Sequence, residues 1–313
     1  MAYTLKRYGF RSDPYKNRQN IQANYSVIQK AFSFGYTADF KEVVSKWNVN
    51  IDASYDLLRW TNFYGLGNET TDNVGTTDYY RLQSKNIFAN INLYHSIGKY
   101  AVFSVGPAYQ MWDIIQNADR FVYTYIPNHK HLYEQQHFGG AQAGFVYSDV
   151  NNRAAPTKGF YFAASAQYLQ NLKDDAHIIR YDAQVQLFVK LARNLNLAVR
   201  PTGATVTGQP EFYQHVSIGG SNTMRGFNRD RYWGTSSLYS DNELNWLFIH
   251  GRYGLTGFYD AGRVWQKGET SSTWHTGYGG GIMIAPFYKV MASLTYGMST
   301  DGNFIHARLY RAL

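Results

Sequence analysis

The sequence of 313 residues contains no cysteine. This absence excludes a disulfide framework, a cysteine-based zinc site, an iron–sulfur cluster and a thiol nucleophile. Charged residues make up only 17% of the chain, against roughly 25% in ordinary soluble domains. The 30 lysines and arginines exceed the 22 acidic residues and give a net charge of +8. They are spread singly through the sequence. We therefore do not expect nucleic acid as a partner.

Long apolar runs are also lacking. The longest weakly polar stretch covers residues 100–111, far short of the roughly 20 apolar residues that a membrane-spanning helix needs. The first residues, 1–6, contain neither an apolar signal core nor a cleavage site. We therefore expect either a cytoplasmic chain or a mature or excised piece of a longer protein. A hydrophobic fraction of 44% excludes a disordered chain.

What the chain does contain is strict alternation of apolar and polar residues. Between Trp47 and Leu57 every odd position is apolar and every even position is polar. Residues 179–191 repeat the pattern with Phe188 as the one exception. A period of two over this length predicts a strand with one apolar and one polar face. Because no amphipathic helix is recognisable, the sequence predicts an all-β protein.

Fifteen such runs are candidate strands, and all except the first have at least the roughly 9–11 residues that a tilted strand needs to cross a bilayer. They are 3–10, 18–28, 31–43, 46–57, 79–96, 100–112, 132–148, 159–169, 177–191, 195–205, 238–250, 252–265, 274–286, 289–298 and 303–311.

The lengths of these strands favour a transmembrane barrel over a soluble sandwich. Aromatic residues lie near the strand ends, as they do at membrane interfaces, and lipid permits only helices and closed barrels to span it. We therefore predict one closed antiparallel transmembrane β-barrel domain over residues 1–313. Bacterial barrels of this kind have even strand counts, so we expect sixteen strands, with fourteen possible. The segment 113–130 is a candidate for the missing strand, and run 3–10 is expected to pair weakly with run 303–311.

A long connection, 206–237, carries the most specific motif. Its sequence from Ser217 is Ser-Ile-Gly-Gly-Ser-Asn-Thr-Met-Arg-Gly-Phe-Asn-Arg-Asp-Arg. Its three glycines, Gly219, Gly220 and Gly226, permit backbone turns that other residues resist.

The next two strands carry acidic residues on their polar faces. Glu243 lies opposite the face with Leu244 and Trp246, and Asp260 lies opposite the face with Tyr259. Two carboxylates on neighbouring strands can receive one guanidinium, that of Arg225 in the long connection.

These motifs resemble those of BamA/TamA-type outer-membrane barrels, a superfamily of bacterial surface antigens that includes the two-partner secretion transporters. The resemblance rests on Ile-Gly-Gly-Ser-Asn-Thr-Met-Arg-Gly-Phe and on the following Glu-Leu-Asn-Trp and Phe-Tyr-Asp-Ala-Gly-Arg-Val-Trp. It implies that Arg225 is the loop arginine, that Gly226 and Phe227 complete its tripeptide, and that Glu243 and Asp260 accept it. It further implies sixteen strands, a loop folded into the lumen, and a weak seam between the first and last strands.

The resemblance implies a barrel in the outer membrane of a Gram-negative bacterium that inserts or translocates polypeptides. Client polypeptides and outer-membrane lipid or lipopolysaccharide are the expected partners. The family usually carries periplasmic domains before the barrel, and we expect none in this chain. A second hypothesis is therefore a membrane anchor or small pore for a fused or partner periplasmic domain. Residues 62–70 look like loops of family members whose barrel follows an enzyme such as a phosphoesterase.

Two further expectations concern chemistry. No grouping of catalytic residues stands out, so we predict that the chain is not an enzyme and has no catalytic residues, no cofactor and no metal site. The predicted contact of Arg225 with the two carboxylates has two interpretations that the sequence does not separate. It is either a salt bridge that keeps the barrel folded or a lock that positions the loop for work at the seam.

Overall fold

The computed structural model describes residues 1–9, 15–27, 31–126, 130–152, 156–248, 253–287 and 290–311. Helical structure in these ranges is limited to one short α-helix, α1 (Phe121–Tyr125), and two 3-10 turns, Lys130–Tyr133 and Phe212–Gln214. No helix among the described residues is long and apolar enough to cross a membrane. The predicted all-β class is confirmed.

Seventeen strands make up the rest of the regular structure. In chain order they are β1 (Ala2–Arg7), β2 (Asn17–Ser26), β3 (Ala31–Val44), β4 (Trp47–Asn62), β5 (Arg81–Ile97), β6 (Ala101–Ile114), β7 (Gln136–Val150), β8 (Gly159–Asn171), β9 (His177–Lys190), β10 (Leu195–Gly208), β11 (Val216–Ile218), β12 (Tyr232–Gly234), β13 (Ser236–Phe248), β14 (Tyr253–Trp265), β15 (His275–Phe287), β16 (Val290–Ser299) and β17 (Gly302–Arg311).

Fifteen of these strands form one antiparallel sheet in chain order, from β1 to β10 and then from β13 to β17. Each of the fifteen predicted runs overlaps one strand of this sheet, because alternation over so many residues marks a strand clearly. The predicted ends at residues 10, 28, 250, 252 and 289 lie outside the described residues. The small strands β11 and β12 pair with each other in a separate sheet and are not among the predicted runs.

The predicted sixteenth strand of the sheet is not found among the residues that the structure describes. Beyond the end of β6, the described residues of segment 113–130 contain α1 and the start of a 3-10 turn instead of a strand. Antiparallel neighbours alternate in direction, so the first and last of fifteen strands run the same way. Among the described residues β1 and β17 do not pair, so the predicted pairing of run 3–10 with run 303–311 is not found. The two strands are the edges of the sheet, and the predicted closure of the barrel is absent from the described residues.

Burial along the strands is the reverse of that in a soluble protein. In β14, Tyr253, Leu255 and Tyr259 are exposed, whereas Thr256 and Asp260 on the opposite face are buried. A soluble sheet exposes its polar face and buries its apolar one. We call the face with the exposed apolar residues the outer face and the opposite face the inner face. The pattern fits an outer face in contact with lipid.

The segment between β10 and β13, residues 209–235, lies against the inner face and contacts both halves of the sheet. The indole Nε1 of Trp233 donates to the carbonyl oxygen of Asn62 at the end of β4, at 3.0 Å. The Nε of Arg231 lies 2.7 Å from Oδ2 of Asp301, between β16 and β17. Because strands so far apart in the sheet contact one segment, the sheet curves around it.

The inner face is apolar where it meets this segment and the other long connections. A buried apolar cluster lies there, and it fills the space that a polar face would otherwise leave to water. Its members from the strands and the connections are Phe63, Leu82, Ala108, Ile114, Val122, Leu132, Phe138, Leu169, Ile178, Val206, Phe212, Tyr213 and Trp233.

Neighbouring residues of β5 offer a direct test of the two faces. Ile91 lies on the outer face near the middle of the strand and is 48% exposed, whereas Asn90 lies on the inner face, opposite Asp52 of β4. We expect Ile91→Arg to lower the free energy of unfolding in phospholipid vesicles by about 2–4 kcal/mol, the cost of a lipid-facing arginine near the bilayer centre. The matched variant Asn90→Arg should change it little. Urea titration of both variants measures the difference, and equal effects would contradict a lipid-facing outer face.

Candidate functional site

The predicted loop motif lies at the end of a small hairpin. The antiparallel strands β11 and β12 form its base, with Val216 opposite Gly234 and Ile218 opposite Tyr232. The predicted connection 206–237 is slightly shorter in the structure, because β10 extends to residue 208 and β13 begins at residue 236. We call residues 219–231 the tip of this hairpin.

Two turns in the tip depend on glycine. Gly219 has a φ of 121°, and Gly226 has a φ of 88°, in the region that disfavours residues with a side chain. A Cβ at Gly226 would also lie only 2.8 Å from the carbonyl oxygen of Met298 in β16. Gly220 has a positive φ as well. Gly226 thus brings the backbone of the tip directly against the backbone of the sheet, whereas Gly219 and Gly220 allow close packing within the tip, against Arg231 and Arg229.

The structure brings Arg225, Glu243 and Asp260 together. Nη1 of Arg225 lies 2.6 Å from Oε1 of Glu243 on β13. Its Nε and Nη2 donate to the two oxygens of Asp260 on β14, at 2.8 Å and 2.7 Å. The backbone N–H of Arg225 also donates to Oδ2 of Asp260, at 2.9 Å. The two-pronged contact with Asp260 fixes the orientation of the guanidinium as well as its position.

Three further charged residues complete the cluster and were not predicted as site residues. Asp241 on β13 lies 3.0 Å from Nη2 of Arg225. Arg200 on β10 contacts Asp241 at 3.0 Å and Glu243 at 2.7 Å. Arg308 on β17 contacts the same two carboxylates at 2.7 Å and 3.1 Å. We call these six residues the lock; they are Arg200, Arg225, Asp241, Glu243, Asp260 and Arg308.

The lock balances three positive charges with three negative ones in a buried place. Arg225 is 0% exposed, as is Asp260, and the guanidinium carbon of Arg225 lies 3.9 Å from the centre of the Phe258 ring. Burial disfavours the charged form of Arg225, but its hydrogen bonds to Asp260 and the three nearby carboxylates outweigh that effect. They raise the pKa of the guanidinium above its ordinary value, so burial does not neutralise Arg225.

The rest of the tripeptide is held by apolar packing and backbone contacts. Phe227 is buried in a small cluster with Ile218, Met224, Tyr232 and Val264. The N–H of Gly226 donates to Nε2 of His306 on β17 at 2.9 Å, and its carbonyl oxygen accepts a hydrogen bond from Ser299. The predicted site residues therefore all lie in or against the tip, and β17 joins them through a residue that was not predicted.

Signals for part of the unpredicted set were present in the sequence. Asp241 lies two positions before Glu243 and therefore shares its face of β13. Arg200 stands directly opposite Asp241 in the β10–β13 register, and that register is not readable from the pattern of either strand alone. No group of three or more His, Cys, Asp or Glu residues in the described ranges is arranged to hold a metal ion.

A model of the Omp85 superfamily domain matches residues 17–301. The chain belongs to the Omp85 superfamily. This membership confirms the resemblance to BamA/TamA-type barrels. No curated protein sequence matches the chain.

Solved structures of the superfamily share this fold. BamA from Haemophilus ducreyi lacking POTRA domains 1–3 superposes with a TM-score of 0.69 at 13% identity, over 94% of this chain and 64% of that one. CdiB from Acinetobacter baumannii gives 0.60 at 11% identity, over 94% and 53%. CdiB from Escherichia coli gives 0.54 at 12% identity, over 100% and 62%. The chain thus spans less than two thirds of the length of each.

The seating of the tip depends on space that a glycine of β15 leaves open. A Cβ at Gly277 would overlap the carbonyl oxygen of Arg225, whereas the nearest atom to a Cβ at Gly257 of β14 is 4.0 Å away. We expect Gly277→Ala to displace the tip and expose the 225–226 peptide bond to trypsin. The matched variant Gly257→Ala should leave that bond as resistant as in the unchanged protein. Mass spectrometry of the digests measures the cut, and equal protection in both variants would contradict a tip seated against β15.

Proposed function

We propose that this chain is a barrel in the outer membrane of a Gram-negative bacterium that inserts or translocates polypeptides. Membership of the Omp85 superfamily supports this role at the level of the family. In this proposal residues 1–313 form one transmembrane barrel domain, and residues 209–235 occupy its lumen. The observation that carries the proposal is the buried contact of Arg225 with Glu243 and Asp260. It lies inside a sheet whose edge strands β1 and β17 each have one ladder partner among the described residues.

The edges of the sheet are the feature that allows the protein to bind an extended polypeptide. The backbone N–H and C=O groups along the free sides of β1 and β17 can pair with a further strand. In lipid each unsatisfied backbone group costs several kcal/mol, so an extended client segment is stabilised when it pairs there. We propose that client polypeptides bind along these edges.

The lock sets the position of the tip in this proposal. Arg225 supplies the charge and the planar donors, and the carboxylates of β13 and β14 receive them. Removing one member of a buried ion pair typically costs about 3–5 kcal/mol, because the remaining charge loses its partner. The tip therefore stays on the inner face unless another contact compensates for the release of Arg225.

Two other roles would use the same contacts. The lock is purely structural if it only keeps the sheet folded. The barrel is an anchor or small pore if its work is to hold a fused or partner periplasmic domain, such as a phosphoesterase-like one. Outer-membrane lipid and lipopolysaccharide are the proposed partners of the outer face in every case, and absence of enzymatic activity and of a cofactor stays a prediction.

Reconstitution separates these roles. Vesicles that contain the protein should speed the folding of an eight-stranded outer-membrane barrel protein diluted from urea, relative to empty vesicles. Heat-modifiable migration on gels measures the folded client, because a folded barrel resists SDS until it is heated. No acceleration would overturn the insertion role and leave the anchor or pore.

The lock is tested in the same assay. We expect Arg225→Ala to enter vesicles as a compact, heat-modifiable form but to lose most of the acceleration, because the tip is no longer held. Arg180→Gln is the matched control, since Arg180 on the inner face of β9 pairs with Asp182 and makes no hydrogen bond or ion pair with the described residues of the tip. Equal loss of vesicle entry and of acceleration in Arg225→Ala would leave the lock with a structural role alone.

A further inference from the structure

The terminal strand β17 contacts the tip with two of its side chains. Nε2 of His306 accepts the N–H of Gly226 at 2.9 Å. Arg308 reaches Asp241 and Glu243 with Nη1, and its Nε donates to the carbonyl oxygen of Ser221 in the tip. One strand therefore contacts both the tip backbone and the carboxylates that hold Arg225.

These contacts lie on the buried face of an edge strand. His306 is buried, whereas its neighbours Ile305 and Leu309 on the outer face are 73% and 70% exposed. Among the described residues, β17 has only β16 as a ladder partner. On its other side no described strand holds it. The contacts of His306 and Arg308 are thus a second attachment of β17, independent of the β16 ladder.

The chemistry of both contacts is specific. A neutral histidine accepts a hydrogen bond at Nε2 only when its proton lies on Nδ1, so the contact with Gly226 selects one tautomer. The guanidinium of Arg308 contacts carboxylates and a backbone carbonyl at once, through separate N–H groups. A lysine in its place has a single ammonium and cannot contact the carboxylates and the carbonyl oxygen from two separate nitrogen atoms.

We propose that His306 and Arg308 are positioning residues that couple the terminal strand β17 to the tip. While the tip is seated, β17 is held at the edge of the sheet; when the tip is released, β17 loses its second attachment and moves more freely. The inference rests on the proposed function in one respect: the β17 edge that the tip holds is one of the two edges at which client polypeptides are proposed to bind. The physical coupling itself requires no client.

Coupling between two elements is reciprocal by thermodynamic necessity. If the seated tip stabilises the attached position of β17, an attached β17 stabilises the seated tip by the same factor. Displacing the tip should therefore loosen β17, and removing the side chains that attach β17 should loosen the tip. A purely local role of His306 and Arg308 predicts no effect of one element on the other. In that case changes in β17 affect β17 alone, and displacement of the tip leaves the β16–β17 ladder unchanged.

Hydrogen–deuterium exchange of the full chain in lipid nanodiscs tests the coupling from the tip side. Gly277→Ala is expected to displace the tip, since its Cβ would overlap the carbonyl oxygen of Arg225, and it alters no residue of β17. We expect amide exchange in residues 302–311 to become faster by roughly 5–150-fold, the usual range for coupled sites. Gly257→Ala is the matched control, and exchange in β7 and β8 should stay unchanged in both variants. An unchanged β17 in a protein whose 225–226 bond has become accessible to trypsin would overturn the proposal.

The same measurement from the β17 side uses three variants. His306→Leu and Arg308→Met should each speed exchange of the tip amides other than that of Gly226. His306→Gln should restore slow exchange, because its amide oxygen is again an acceptor. Faster exchange confined to β17 would overturn the coupling, as would faster exchange in β7 and β8, which indicates general unfolding. Neither outcome bears on whether the wild-type protein folds a client, so failure of the coupling and failure of the proposed function are distinguishable.

Discussion

The buried ion cluster around Arg225 is the interaction on which the placement of the tip depends. A charge removed from water requires partners, and Arg225 finds them only where β13 and β14 present carboxylates on the same face. Glu243 of β13 stands opposite Phe258 of β14 in the strand register. Asp260 lies two positions after Phe258 and therefore on the same face. A slip of one residue would turn one carboxylate to the outer face. The strand register and the seat of Arg225 therefore stabilise each other.

The sequence predicts the strands well, for a physical reason. Alternation such as that of residues 47–57 has one structural solution, because side chains of a strand point to opposite faces. The contact of Arg225 with Glu243 and Asp260 was foreseeable as well, since strand parity assigns both carboxylates to the inner face. The small strands β11 and β12 were missed because three residues are too few to show a period.

The remaining features depend on relations between distant parts of the chain. Arg200 faces Asp241 only through the β10–β13 register, and Arg308 reaches the same carboxylate because the sheet curves. The expectation of a polar inner face failed near the long connections, where Leu82, Phe138 and Leu169 lie in a buried cluster. In the sequence, the inner faces of those strands contain both polar and apolar residues. Which inner residues are shielded from water depends on where the long connections pack, and the strand pattern does not show that.

The two edges of the sheet differ in how firmly they are held. β1 and β17 run in the same direction, so antiparallel closure requires one strand that runs opposite to both. Among the described residues β1 pairs only with β2, and all six of its residues are exposed. β17 is held by its ladder with β16 and also by the tip. A strand that enters between them thus meets one edge, β1, held by its ladder alone, and one edge, β17, held by its ladder and by the tip. Pairing with β1 breaks no contact of the lock, whereas pairing that displaces β17 must also break the contacts of Arg308 with Asp241 and Glu243.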